Sequence, residues 1–270
     1  MAVKKKVRKN FLSVVIPVYK QEKTIREDLA QINRALEKSR FDYEIIAVVD
    51  GTSIDNSFKE AKKLKLPKIR VVGYPDNCGK GYAVRYGMAR SQGDRVAFID
   101  AGMDIDPNGL SLILEHMEWY DADIIVGSKR HPASQVEYPF LRKIYSLGYQ
   151  TLTRVLFGLK IRDTQAGLKI FKREVLEKTL PRLLVKKFAF DVELLAVANY
   201  LGFKKIYEAP IRLNRERFVF SSTIKFKTVY EMFLDTLAVF YRLRILRYYR
   251  DGNGRKWKYD KNLDFRVNVG

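Results

Sequence analysis

The apolar positions of this chain fall into short continuous runs separated by segments of helical period. Phe11–Val18 (FLSVVIPV) is the first run, and Tyr43–Val49, Ile69–Val72, Val96–Ile99, Asp123–Val126, Leu168–Phe171 and Lys204–Leu213 follow it. Runs of this length, several of them β-branched, predict strands buried on both faces. Thr24 stands where a helix cap belongs, and Ile25, Leu29, Ile32 and Leu36 then recur on one face, which predicts a helix to about Ser39. Further helices are expected up to about Leu66, from Gly79 to near Gly93, from Pro107 to about Tyr120, and over Phe140–Phe157 and Phe190–Tyr200. Pro17, with no N–H to donate, is expected to stop the ladder of the first strand. Asp106 before Pro107 suits a helix cap. Strand and helix alternate with short connections, so the fold class is α/β with a mainly parallel, doubly wound sheet.

The pattern changes near Thr223. Phe226, Tyr230, Phe233, Leu237 and Phe240 form one apolar stripe, which runs into Arg242, Arg244, Arg247 and Arg250. Such a helix either packs on the core with a solvated basic end or lies on an anionic bilayer with its arginines at the headgroups. The expected organisation is therefore a basic tail over 1–10, an α/β domain over 11–222, and an amphipathic, basic helical segment over 223–270.

Charge narrows the partners. The formal net charge is +20, against an otherwise ordinary 47% hydrophobic and 30% charged composition. That excess calls for a polyanion: nucleic acid, an anionic membrane face, or phosphorylated substrates. Lys and Arg cluster at the two ends with no recognised nucleic-acid module between them, so no nucleic-acid partner is expected. Cys78 is the one cysteine and His116 and His131 are the two histidines, which excludes a disulfide framework and a Cys- or His-rich metal centre. No secretory signal is visible, and no stretch approaches the roughly 18 apolar residues of a membrane span.

The candidate chemistry lies at strand ends. Val96–Ile99 closes in Asp100, Asp104 and Asp106, and ligands of open α/β sheets bind beyond the carboxyl ends of the strands. Carboxylates there suit a hard cation carrying substrate phosphates. Asp50, closing the second strand, is either a turn former or a ligand for a nucleoside. Gly79-Lys80-Gly81 lacks the spacing of a Walker loop or a dinucleotide fingerprint. Two Asp-terminated strands and a Gly-Lys-Gly helix start nevertheless converge on one crevice.

These segments together carry a resemblance. VVIPVYKQEKTI, VVDGTSIDNS, NCGKGYAVRYGM, FIDAGMDI, GSKRH, LRKIYS, DTQAGLKIF and FAFDVELL occur in the order found in family 2 glycosyltransferases of the GT-A fold, over about residues 11–215. DTQAGLKIF and FAFDVELL most resemble the enzymes that charge dolichyl or polyprenyl phosphates with glucose, with the mannosyltransferases close behind. The resemblance implies that Pro17, Tyr19, Glu22 and Asp50 line a nucleotide pocket, with Lys80 near the base or ribose. It makes Asp100 the first carboxylate of an Asp-x-Asp metal motif whose second position here is Gly102. Asp104, two residues on, would then share Mg²⁺ or Mn²⁺ with Asp100, the donor diphosphate completing an oxygen shell.

Arg130, Arg142 and Ser146 match the acceptor-phosphate positions, and planar guanidiniums suit a phosphate. Spacing alone reads Arg142 as an exposed helix residue. Asp163 falls beside the acceptor nucleophile: a general base for a hydroxyl, a positioning group for a lipid phosphate that is already an anion. Asp191 and Glu193 are either partners of basic residues or plain helix-face positions. Arg212, Arg215 and Arg217 either grip the donor diphosphate or form a solvated loop. The implied reaction is inverting transfer of a hexose from UDP-glucose or GDP-mannose to a polyprenyl or dolichyl phosphate, by a cytoplasmic protein peripheral on the inner membrane face. A polysaccharide or glycan acceptor is the alternative; a catalytically impaired nucleotide-sugar binder and a nucleic-acid-binding protein are more distant ones.

Overall fold

The structure is a computed structural model, and it describes residues 7–134, 140–214, 226–252, 256–263 and 265–269, without the side chains of 140–144, 226–228, 268 and 269. Its centre is a seven-stranded sheet: β1 (Arg8–Val18), β2 (Asp42–Asp50), β3 (Ile69–Tyr74), β4 (Gly93–Ile99), β5 (Ile124–Ser128), β6 (Leu168–Lys172) and β7 (Ile206–Pro210), in the order β3-β2-β1-β4-β6-β5-β7. The β1–β2, β2–β3, β1–β4 and β5–β7 pairs are parallel. β6 is antiparallel to both its neighbours. The chain leaves β5 at its carboxyl end, makes the excursion that contains α5 (Phe140–Phe157), and re-enters the sheet as β6 from that same edge, so the strand must run in reverse.

The sheet is buried on both faces, as the continuous apolar runs require. Val15, Ile46, Val48, Val96 and Phe98 face one core, shared with α3 (Lys80–Arg90), α6 (Arg173–Thr179) and α7 (Phe190–Tyr200). The alternate positions Val14, Ile16, Ile45, Ala47, Ala97 and Ile99 face the other, covered by α1 (Ile25–Glu37) and α4 (Gly109–Trp119). Ile25, Leu29, Ile32 and Leu36 of α1 are fully buried there, as their spacing predicts.

Several local expectations are corrected. β1 begins at Arg8, inside the segment expected to be a tail, and Arg8 is in register with Gly93. Pro17 does not end the strand: it sits in register with Val48 of β2, where the β1–β4 ladder has already ended at Val15–Phe98. Thr24 occupies the cap position of α1 but makes no cap hydrogen bond, and its hydroxyl goes to Gln21 and Asp28 instead. Asp106 does not cap α4, whose cap position is Asn108; its Oδ1 accepts from the Asn108 N–H at 2.9 Å in the turn that leads in. The short α2 spans Ser57–Lys63.

The C-terminal segment is not helical throughout. α8 (Phe226–Phe240) passes into one π-helical turn, Tyr241–Ile245, and the chain ends in a hairpin of β8 (Lys256–Asp260) and β9 (Phe265–Val269). On α8 the body-facing line is Met232, Thr236 and Val239, continued by Leu243. Tyr230 and Leu237 of the apolar stripe point outward, Phe233 is half-exposed at a cavity beside α5, Phe240 packs half-buried near Phe157, and the Phe226 side chain lies outside the described residues.

Candidate active site

The carboxyl ends of β1, β2 and β4 and the start of α3 enclose a cavity of about 510 Å³. Pro17, Tyr19, Asp50, Lys80, Asp100 and Asp104 all line it, so residues spread over some eighty positions of sequence meet because parallel strands end on one edge. Glu22 lies outside, in an adjoining depression with Asp55, where its Oε2 accepts the Asn56 N–H at 3.1 Å. Lys187, Phe188 and, from α8, Glu231 complete the wall, and sequence reasoning singled out none of them.

Asp50 is a structural staple. Its oxygens accept the N–H groups of Cys78 at 2.6 Å and Gly79 at 2.9 Å. Gly79 has φ of +96°, a backbone state that side-chain-bearing residues avoid, and a Cβ there would stand 2.6 Å from the Lys186 carbonyl oxygen. The N–H of Gly81 bonds that carbonyl at 2.8 Å. Asp50 and the 184–187 segment thus fix the entry to α3 from both sides.

Lys80 stands on Asp100. Its Nζ lies 2.8 Å from Oδ1 and 2.9 Å from Oδ2 of Asp100, and 3.6 Å from Oδ2 of Asp191. Burial acts to lower the Lys80 pKa, but the two carboxylates outweigh it and hold the ammonium above its ordinary value. Asp191 is buried and also accepts from Lys169 Nζ at 2.6 Å. Lys169 was missed in the sequence. The one available signal is a lysine inside the apolar strand run Leu168–Phe171.

Glu193, the other acid of α7, accepts from the Leu184 and Val185 N–H groups and from the Tyr249 hydroxyl at 2.7 Å. Burial pushes its pKa up, against these donors. Of the two readings of Asp191 and Glu193, the plain helix-face one fails.

No group of three or more Asp, Glu, His or Cys side chains arranged for a metal exists among the described residues. The donor set nonetheless fits a hard cation completed by substrate oxygens. Asp100 Oδ1 is shielded from solvent and receives no directed hydrogen bond, and the Asp104 carboxylate lines the same cavity. Gly102 leaves the position between them open: a Cβ there would meet only Gln21 Nε2, at 3.6 Å.

A second cavity, about 600 Å³, lies between α5, α8 and the 163–165 turn. Tyr149, Leu152, Val229, Met232 and Phe233 give it an apolar wall; Ser146, Gln150 and the 162–165 turn, with Asp163, form its polar side. Burial raises the Asp163 pKa, and its Oδ2 accepts the Lys129 N–H at 3.1 Å. The Arg130 guanidinium donates to the Ser146 and Arg162 carbonyls at 3.0 and 3.2 Å. The Arg142 side chain, Arg215 and Arg217 lie outside the described residues, and Arg212 is exposed. The two cavities share a wall: Glu231 of α8 faces the first, while Val229, Met232 and Phe233 face the second.

The model of the glycosyl transferase family 2 matches residues 13–180, which contain both strand-end acids and the Asp163 turn. The chain belongs to glycosyltransferase family 2. This family 2 glycosyltransferase is 34% identical over 250 residues to the dolichyl-phosphate β-glucosyltransferase of Homo sapiens, covering 87% of this chain and 76% of that protein. It is also 34% identical over 205 residues to the enzyme of that name from Drosophila melanogaster, covering 70% of this chain and 63% of the fly protein. Among solved structures, glucosyl-3-phosphoglycerate synthase of Mycobacterium tuberculosis, in complex with Mn²⁺, UDP and phosphoglyceric acid, superposes with a TM-score of 0.63 at 19% identity, over 96% of this chain and 86% of that one. The family 2 glycosyltransferase therefore has the GT-A fold its motifs imply, with β6 reversed within it.

Proposed function

We propose that this glycosyltransferase moves glucose from UDP-glucose to a dolichyl or polyprenyl phosphate at an anionic membrane surface, with inversion at the anomeric carbon. The observation that carries the reading is the pairing of two cavities across α8, one lined by Lys80, Asp100 and Asp104, the other with an apolar wall facing a polar side of Ser146, Gln150 and the 162–165 turn. A charged nucleotide suits the first and a lipid phosphate with its chain suits the second. Similarity to dolichyl-phosphate β-glucosyltransferases over most of the chain supports the same donor and acceptor classes.

In the reaction, an acceptor phosphate oxygen attacks the anomeric carbon while the bond from that carbon to the UDP oxygen breaks on the opposite face. Negative charge builds on the leaving diphosphate, and Lys80 is the fixed cation beside it. Asp100 and Asp104 would hold Mg²⁺ or Mn²⁺, which when bound supplies further neutralisation of that charge. The acceptor phosphate needs no proton removed. Asp163 accordingly positions groups at the acceptor, and Arg130, Arg142 and Ser146 bind its phosphate. Glu22 supports the turn behind the donor cavity, and Arg212, Arg215 and Arg217 are assigned to the donor diphosphate by the family resemblance.

On this reading the protein acts at the cytoplasmic face of a membrane, and the membrane contact is supported by α8. Tyr230, Leu234, Leu237, Tyr241 and Ile245 are exposed along one side, followed by exposed Arg244 and Arg247. No helix among the described residues is long and apolar enough to cross a membrane.

The test offers labelled UDP-glucose and GDP-mannose, with Mg²⁺ or Mn²⁺, to the protein with dolichyl phosphate in anionic vesicles or with soluble glycans. The expected product is a glucosyl phospholipid from UDP-glucose. Transfer to the glycans alone would overturn the acceptor assignment, and mannosyl lipid alone the donor assignment.

A further inference from the structure

Four charges alternate in a line from the donor cavity into the interior: Asp100, Lys80, Asp191 and Lys169. Lys80 bridges Asp100, at 2.8 Å, and Asp191, at 3.6 Å. Lys169 Nζ closes the line, 2.6 Å from Asp191 Oδ1 and 2.6 Å from the Ala166 carbonyl oxygen. The Lys169 and Asp191 side chains are 0% and 2% exposed, so neither reaches a substrate, whereas Asp100 is 39% exposed at the cavity. The turn that carries Asp163 is tied into the same line. The Asp100 N–H donates to the Gly167 carbonyl at 2.8 Å, and a Cβ on Gly167 would fall 2.3 Å from Asp100 Oδ2.

We infer that Asp191 and Lys169 are positioning residues that aim the Lys80 ammonium at the donor's β-phosphate and hold the 163–167 turn in register with it. The inference rests on the donor reading above. A flexible lysine at a cavity wall loses much side-chain entropy when it binds a phosphate. Asp191 removes that cost in advance by fixing the ammonium on its inner side, which leaves its outer side for Asp100 and the nucleotide. Asp191 can do so only if its own carboxylate is immobile and its burial is compensated, and Lys169 supplies both. The Ala166 bond makes the arrangement common to donor and acceptor: displacing Lys169 displaces the turn as well as Lys80. Neither residue donates or accepts a proton in transfer.

A positioning role for Lys80 at the β-phosphate predicts discrimination between UDP and UMP, measured by titration calorimetry on the full chain. Asp191→Asn, nearly isosteric, is expected to weaken UDP by about tenfold, the scale of one charge-assisted hydrogen bond, while leaving UMP within about twofold. Lys80→Met is expected to show the same selective loss, and the Lys80→Met/Asp191→Asn double variant to be no worse than Lys80→Met, because Asp191 acts through Lys80. Should Asp191→Asn fail to fold with Lys169 left uncompensated, Lys169→Met/Asp191→Asn removes the buried charge as a pair and is expected to give the same selective loss. Equal loss of UDP and UMP, an unchanged UDP-to-UMP ratio, or additive losses in the double variant would overturn the inference. A wild-type protein that binds UDP no better than UMP would overturn the donor reading along with it.

Discussion

On the proposed reading Asp163 lies beside the attacking oxygen, where a carboxylate can serve as general base, and burial has pushed its pKa up against the pull of Lys169 and the Lys129 N–H. A phosphate monoester loses its second proton near pH 6, so a lipid phosphate is already nucleophilic at neutral pH. Asp163→Asn is therefore expected to cost less than the about 10²–10⁴-fold of a lost general base, with no new pH dependence of kcat above neutrality. A larger loss, recovered as pH rises, would make Asp163 a base and the acceptor a hydroxyl. Asp121 offers a stability test at the same scale. Hydrogen bonds from Lys172 and Lys205 hold its pKa at about 2, below the ordinary 3.8. A depressed carboxylate pKa stabilises the fold above the unfolded value and loses that contribution as pH falls through the folded one. The melting temperature of the wild type should fall more steeply than that of Asp121→Asn between about pH 4 and 2, and added salt should shrink the difference. Asp50, Lys80, Asp100 and Asp104 were legible before the fold was known, because acids and glycines at the ends of apolar runs mark the ligand edge of an α/β sheet, whereas Pro17 and Tyr19 were named by the family resemblance alone. Lys169 was not: its partner Asp191 comes from α7, and their meeting depends on the direction of β6.

At the scale of elements, the C-terminal segment is held to the α/β body by polar bonds as much as by packing. Tyr249 is buried with its hydroxyl on Glu193, its carbonyl accepts from Arg182 Nε at 3.0 Å, and Arg182 also pairs with Asp251. Arg90 Nη2 reaches the Asn262 carbonyl of the hairpin at 2.7 Å. Tyr249→Phe removes one donor from Glu193 and leaves two N–H groups in place, so it should cost about 1–2 kcal/mol, or roughly 2–4 °C of melting temperature per kcal/mol in a chain of this size. Glu193→Ala strands the Leu184 and Val185 N–H groups as well and should cost about 3 kcal/mol or more, measurable by urea unfolding. Because the 184–187 segment also carries the carbonyl that receives Gly81, Glu193→Ala should weaken donor binding too. Helix periods and strand runs were readable, and Phe140–Phe157 and Phe190–Tyr200 have the bounds their patterns imply. The reversal of β6 was not, since a short apolar run carries no direction. The hairpin was masked by composition: Lys256, Trp257, Lys258 and Tyr259 do alternate with strand period, but few apolar residues flank them and the excess of charge reads as a continuation of the basic helical segment.

Over the whole molecule, the proposed membrane contact would draw on both the +20 charge and the outward stripe of α8. Charge alone would draw the protein to any polyanion, and the attraction fades beyond a screening length of about 8 Å in physiological salt. The stripe adds a contact that salt does not screen. Because α8 is also the wall between the two cavities, a bilayer against its outer face would lie next to the cavity proposed for the acceptor. The protein is therefore expected to float with vesicles containing anionic lipid, less so in high salt, and weakly with neutral vesicles. Leu234 and Leu237 are 45% and 37% exposed and belong to neither core, so replacing both by Asp should lower the melting temperature far less than a core substitution would. Each leucine inserted into the interface is worth about 1.5 kcal/mol at the low end, so the pair should shift vesicle partitioning by about a hundredfold. The same variant should keep its affinity for UDP, which the other side of the helix faces, while losing transfer to dolichyl phosphate in vesicles. Unchanged flotation after this double substitution would mean that the stripe serves another contact and that basic residues alone hold the protein to the surface.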